Sequence, residues 1–150
     1  MPKQKSITHI VSLIVESKKG FLLLRKPTRR GGRYSLVGGR VEKNEAVIGA
    51  LVRETYEEAA IKVQAQDLRL VHVIHRRRER QDFFHFFFYT QQWTGSIRNR
   101  EPMKCDALVW YKRDELPFDT MMPAIRCGIE SYLAGEQYSE LGWQLKKKPK

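Results

Sequence analysis

Between Gly38 and Ile61 the chain reads GGRVEKNEAVIGALVRETYEEAAI. A glycine pair leads through a short polar turn into a segment with helical periodicity that ends in carboxylates. Each helical residue advances by about 100°. Glu54, Glu57 and Glu58 stand at i, i+3 and i+4, so a helix sets all three carboxylates on one face. Like charges packed that closely repel one another, and the arrangement is useful only with a cation among them. An all-oxygen ligand set suits a hard cation, with Mg²⁺ the first choice. The helix is predicted to start near Asn44 as N-cap and to end near Ala60. Val47, Ala50 and Leu51 continue the stripe of the glutamates, while Ile48, Val52, Thr55 and Ala59 form a second stripe. Apolar on two sides, the helix is expected to be sandwiched between layers.

The register extends beyond the three carboxylates. Gly39, five residues, Glu45, seven residues, then Arg53-Glu54-Thr55-Tyr56-Glu57-Glu58-Ala59-Ala60-Ile61 resembles the Nudix box. That box is Gly-x5-Glu-x7-Arg-Glu-U-x-Glu-Glu-x-Gly-U, with U a bulky aliphatic residue. Every charged position matches. Thr55 stands at the first U, where it is expected to pack slightly worse. Ala60 stands at the last glycine and asks for a helix end without a left-handed glycine. The approach LLLRKPTRRGGRYSLVGGRVE resembles the family's own, with Tyr34 and Val37 where Trp and Pro are frequent. Glu101-Pro102, Leu108 to Tyr111, and Leu116-Pro117 resemble the loop, strand and stop of MutT-like members.

The resemblance implies an αβα sandwich with a central mixed β-sheet between helices. It implies hydrolysis of a pyrophosphate bond in a nucleoside diphosphate linked to another group. Glu54, Glu57 and Glu58 become the metal ligands, joined by the carbonyl of Gly38, with Mn²⁺ a substitute for Mg²⁺. Glu45 and Arg53 become the pair that steadies the loop on the helix, and Arg53 can also reach Glu57. Glu101 is the candidate loop base, weighed equally against an exposed turn residue; Glu79, among arginines, is the weaker choice. The chemistry asks for the same parts: metal ions neutralise the phosphates and activate water, carboxylates hold the metal, and cations hold outer phosphates. Of Arg25, Arg29, Arg30 and Arg33, just upstream of the glycines, Arg25 is chosen for the substrate, with Gly39 beside it.

Along the rest of the chain, Ile7 to Val15, Phe21 to Arg25, Tyr34 to Val37, Leu68 to His75, Asp82 to Trp93 and Ala107 to Lys112 are predicted strands. Val11, Leu13 and Val15 share a face with Ile7; Leu68, Leu70, His72 and Ile74 share another. Arg76 to Gln81 is expected to be a charged turn and Thr94 to Lys104 an irregular loop. Met122 to Ala134 reads as a second helix, with Pro123 in its first turn. The phenylalanines of Asp82 to Trp93 are assigned to the core, and His9, His72, His75 and His85, which show no ligand spacing, to ordinary strand positions.

At 150 residues the chain is long enough for one domain with a core, placed at 1–145, with a solvated basic tail at 146–150. No apolar run reaches membrane-spanning length. Cys105 and Cys127 fit no metal spacing, and two thiols without a leader segment point to a reducing, cytoplasmic setting. The net charge of +11 favours anionic partners. A small-molecule nucleotide is the expected one; the charge keeps nucleic acid open although no recognition signature accompanies it, and a homodimer is left open. The favoured substrate is a nucleoside triphosphate, cut to monophosphate and pyrophosphate. ADP-ribose, nucleotide sugars, dinucleoside polyphosphates and 5′-triphosphate RNA are alternatives. So is a non-catalytic nucleotide-binding module, against which the intact glutamates speak.

Overall fold

A computed structural model describes residues 6–143. The basic tail at 146–150 lies outside them. The chain forms β1 (Thr8–Ser17), β2 (Gly20–Arg25), β3 (Tyr34–Ser35), β4 (Val37–Arg40), α1 (Val47–Ala59), β5 (Arg69–Arg78), β6 (Gln81–Thr90), β7 (Ala107–Tyr111), α2 (Pro123–Leu133) and β8 (Tyr138–Leu141). The strands make one mixed sheet in the order β3-β2-β1-β6-β5-β8, with β4 also on β1 and β7 also on β2. β1 and β6 run parallel, Thr8 opposite Phe83 through Val15 opposite Thr90.

The apolar runs of β1 and β2 are buried on both faces, as expected of strands covered by layers on either side. Val11, Leu13, Val15, Leu22 and Leu24 pack with Ala50, Leu51 and Ala59 beneath α1. Ile14, Phe21, Leu23 and Phe87 pack with Ile125 and Ile129 beneath α2. Gly128 lets α2 settle on the Phe87 ring, because a Cβ there would collide with it. This is the mixed α/β arrangement expected from the sequence.

Several local expectations are corrected. α1 begins at Val47, not at Asn44, which instead turns the chain in the left-handed region at φ 63°. Ala60 is itself left-handed, at φ 59°, and its N–H caps the helix through the Tyr56 carbonyl at 3.0 Å. The helix end keeps the geometry a glycine would give and bears the cost of a Cβ. Nor is α1 sandwiched, since Ile48 is 37% exposed and one side of the helix faces solvent. Thr55 is fully buried, its hydroxyl donating to the Leu51 carbonyl at 2.9 Å.

The strand expected at Tyr34 to Val37 divides into β3 and β4. Arg76 to Arg78 belong to β5, leaving only Glu79 and Arg80 as the turn, and β6 stops at Thr90. A bulge between Leu70 and His72 breaks the expected shared face, so Leu70 is 51% exposed while His72 is buried. β8 was not expected; its sequence YSEL is mostly polar because it is an edge strand, parallel to β5. His72 and His85 stand on β5 and β6 as expected, but both are buried in the core; the ring nitrogens of His72 meet the Glu136 carbonyl and Ser139, both at 2.8 Å.

Candidate active site

β4 lays the glycine pair against β1, Gly38 opposite Ser12 and Gly39 opposite Val11. Gly38 has φ 153°, and a Cβ on it would run into the Val11 carbonyl. At Gly39 a Cβ would stand 2.5 Å from the Glu54 carboxyl carbon. The bare backbone is what leaves room for that carboxylate.

The turn after β4 brings Glu45 back toward α1, where Arg53 grips it. Arg53 donates to Glu45 through Nε at 2.8 Å and Nη2 at 2.9 Å. Its Nη1 donates to Glu54 at 2.9 Å and Glu57 at 3.2 Å, and Nη2 also reaches the Arg40 carbonyl at 3.2 Å. Glu45 in turn accepts the Glu42 N–H at 3.0 Å. One planar guanidinium thus ties the loop, the strand end and two of the three helix glutamates together. Those hydrogen bonds from Arg53, and then the Glu42 N–H, hold the Glu45 carboxyl down at about 2. The same bonds push the Arg53 guanidinium above its ordinary value.

The other carboxylates move the opposite way. Burial pushes Glu58 up to about 8; neighbouring Glu54 and Glu101 charges add to this, and the Gly38 N–H, donating to Glu58 Oε1 at 2.7 Å, opposes it. Burial also raises Glu54, against the pull of Arg53. A buried acidic group that resists ionisation is one that a cation would stabilise.

A strap from Thr94 to Cys105 closes the site. It runs along the C-terminal end of α1 and supplies donors to carbonyls that a helix end leaves unpaired. Thr94 and Lys62 exchange backbone hydrogen bonds at 2.9 and 3.0 Å; Arg98 N–H donates to Ala59 at 3.0 Å and Arg100 N–H to Glu58 at 3.1 Å. Asn99 shapes the far end, accepting the Glu101 N–H at 3.0 Å and donating to the Cys105 carbonyl at 2.7 Å. Glu101 is thereby delivered to the helix glutamates and pairs with Lys104 at 3.2 Å.

The resulting cleft, about 570 Å³, brings together Glu54, Glu57, Glu58, Glu101, Arg53 and Gly38. Lys26, Arg30, Arg100 and Lys104 also line it; Arg30 is one of the four upstream arginines considered for the substrate, and the other three carried no sequence signal. Arg25 is not on its wall. β2 ends at Arg25, and the next residue, Lys26, is the one that turns inward. Nothing in a run of basic residues marks which of them faces a cleft. Gly39 meets the site through Glu54, and Glu79 stays away in the β5–β6 turn. A second cavity of about 490 Å³ shares Lys26, Arg30 and Gly38 with the cleft. It continues past Ser12, Arg76 and His85 to the start of α2 at Met122 to Ile125. His85 is buried, its Nε2 2.7 Å from the Ser12 hydroxyl and its Nδ1 without a partner among the described residues. Burial lowers its imidazole to about 3, so it is neutral.

The donor set fits a hard divalent cation: carboxylates only, one of them lodged where a Cβ is missing, another uncharged until a cation arrives. Among the described residues no three such side chains form a ready-made cage. Arg53 Nη1 engages Glu54 and Glu57, and the Gly38 N–H engages Glu58.

Comparison with known proteins gives a consistent result. The family model for the NUDIX domain matches residues 7–131. Zebrafish "8-oxo-dGDP phosphatase NUDT18" is 28% identical over 119 residues, covering 76% of this chain and 35% of that protein. Its human counterpart is 25% identical over 118 residues, with the same coverage. The chain therefore spans about a third of the length of these relatives. Among solved structures, a MutT NUDIX hydrolase from Burkholderia pseudomallei superposes with a TM-score of 0.74 at 23% identity, covering 84% of this chain and 98% of that one. The Escherichia coli ORF135 protein gives 0.74 at 24%, covering 87% and 91%. With box, cleft and fold in agreement, this chain belongs to the NUDIX domain family.

Proposed function

We propose that the chain is a Mg²⁺-dependent pyrophosphohydrolase acting on nucleoside triphosphates, releasing a monophosphate and pyrophosphate. The observation that carries the reading is the union of two cavities. An acidic cleft with cations on its rim opens, through Gly38, Lys26 and Arg30, into a pocket with an apolar wall. The first suits metal and phosphates, the second a nucleobase.

Glu54, Glu57 and Glu58 would hold the metal with the Gly38 carbonyl; Mn²⁺ would serve in the same ligands. Bound there, the metal neutralises phosphate charge and lowers the pKa of the attacking water. Arg53 keeps Glu54 and Glu57 in register through the bonds described above. Lys26 and Arg30, at the junction of the two cavities, hold outer phosphate oxygens. Glu101, from the strap, takes the proton of the water. Arg76, whose guanidinium meets no carboxylate among the described residues, and His85, on the pocket wall, face the base. No carboxylate lines that pocket, so its cationic side chains, Arg76 among them, would suit a base edge that carries acceptors only, such as O6 and N7 of guanine.

A second reading shortens the substrate. The relatives named as 8-oxo-dGDP phosphatases favour a nucleoside diphosphate, cut to monophosphate and phosphate. Product analysis separates the two. The protein is incubated with Mg²⁺ and ordinary or oxidised guanosine and adenosine di- and triphosphates. Pyrophosphate from triphosphates supports the first reading; phosphate from diphosphates alone supports the second. Absence of cleavage across that panel, extended to ADP-ribose, nucleotide sugars, dinucleoside polyphosphates and triphosphate RNA, refutes both.

A further inference from the structure

A third cavity, about 690 Å³, lies beyond the other end of the strap. Its volume is in the range of small-molecule pockets. Its base is Leu22 and Leu108, from β2 and β7. Trp93 and Trp110 line it, both half-buried, with ring centroids 6.1 Å apart and planes 32° from parallel. Lys19 and Arg98 stand at its rim, exposed. Neither meets a carboxylate within 4.0 Å among the described residues, where the arginines that do are Arg53, Arg77, Arg113 and Arg126. No acidic residue lines the cavity.

Two indole faces and two unpaired cations around one hollow match a ligand that is flat at one end and anionic at the other. Stacking on an indole suits any aromatic ring, and the cations suit a phosphate. We propose that this cavity is a second binding site, for a mononucleotide, separate from the acidic cleft. None of its lining residues is shared with the cleft or with the adjoining pocket.

The site is joined to the cleft by the strap. Arg98 and Asn99 wall the cavity, while Arg100 and Glu101 wall the cleft. Asn99 holds the Glu101 N–H, and the Arg98 and Arg100 N–H groups are fastened to the end of α1 at Ala59 and Glu58. A nucleotide gripped by Arg98 and stacked on Trp93 therefore braces the segment that carries Glu101. Occupancy of one site stiffens a wall of the other, and the coupling is reciprocal.

The test needs no turnover, so its failure is distinct from a failure of the proposed hydrolysis. Of the three tryptophans, Trp143 is replaced by Phe, which leaves only the two in this cavity. GMP is titrated into the Trp143→Phe protein in EDTA while indole emission is followed. Saturable quenching is expected. Lys19→Ala with Arg98→Ala, both exposed positions, should weaken it by about tenfold or more. Lys18→Ala, outside the cavity, should leave it unchanged. Amide exchange at Arg98 and Arg100 should slow several-fold with GMP bound. Emission that ignores GMP, or quenching that the double variant retains, overturns the site. Quenching without slower exchange overturns the coupling. Much tighter binding of a single-stranded oligonucleotide than of GMP would give the cavity to nucleic acid and overturn the mononucleotide assignment.

Discussion

Gly39→Ala isolates the fit between strand and helix on which the site depends. A Cβ at this position would stand 2.5 Å from both the carboxyl carbon and Oε1 of Glu54. Ordinary contact begins near 3.4 Å, so the carboxylate must retreat by about 1 Å. The backbone of β4 cannot yield instead, because it is paired with β1 from Val37 to Arg40. Metal–oxygen distances tolerate only about 0.2 Å. A 1 Å retreat therefore removes Glu54 as a ligand and strains its 2.9 Å bond from Arg53. Loss of supporting interactions at a metal site costs about 10- to 100-fold in affinity or activity. The methyl meets only a side-chain terminus and leaves the cores beneath α1 and α2 intact, so the melting temperature should hardly move. The Mn²⁺ dissociation constant by calorimetry, and the Mg²⁺ concentration for half-maximal hydrolysis, should both rise by that factor. Unchanged metal affinity in a folded Gly39→Ala protein would refute the placement of Glu54 at the metal.

Further expectations concern pH, the helix end, the core and the base pocket. Burial raises Glu58 from its unfolded value of 4.5 to about 8, so the folded metal-free protein retains a proton that the unfolded chain has lost. Its stability is then full below about pH 4.5 and falls as pH rises through about 8. Thermal melts in EDTA should show this decline, and Glu58→Gln or added Mg²⁺ should flatten it; an identical slope in Glu58→Gln would contradict the assignment. Ala60→Gly should stabilise by about 0.5–1 kcal/mol, since release of left-handed strain outweighs the extra freedom of an unfolded glycine; urea midpoints decide it. Thr55→Val should stabilise by about 1 kcal/mol, because a fully buried hydroxyl that only back-bonds to its own helix gives way to a methyl; a loss in the same assay would mean the hydroxyl is needed. His85→Phe should lower the kcat/KM preference for guanine over adenine nucleotides, and His85→Asn should partly restore it; equal ratios in all three proteins would remove His85 from the base pocket.

The glutamates were legible because a helix converts i, i+3 and i+4 spacing directly into a shared face. Arg53 and Glu45 were legible through their register with Gly39. The helix boundaries were less so, since Asn44 has the chemistry of a cap but is spent on a left-handed turn. Which cation of a basic run turns inward depends on the residue where β2 ends, and this separated Lys26 from the expected Arg25. β8 escaped notice because an edge strand carries no apolar alternation. Leu70 was misplaced by a bulge that periodicity cannot foresee. The second cavity joins β1, β5, β6 and α2, distant in sequence, so His85 and Arg76 carried no local signal at all.

The most direct measurement is Mg²⁺-dependent release of pyrophosphate from a nucleoside triphosphate by the wild-type protein and Glu57→Gln, side by side. Glu57 is nearly half exposed, so the substitution should spare the fold. Turnover that requires Mg²⁺, stops in EDTA and falls by at least about 10- to 100-fold in Glu57→Gln is the expected result. Metal-independent turnover, or full activity without the Glu57 carboxylate, would contradict a metal-dependent centre in the acidic cleft.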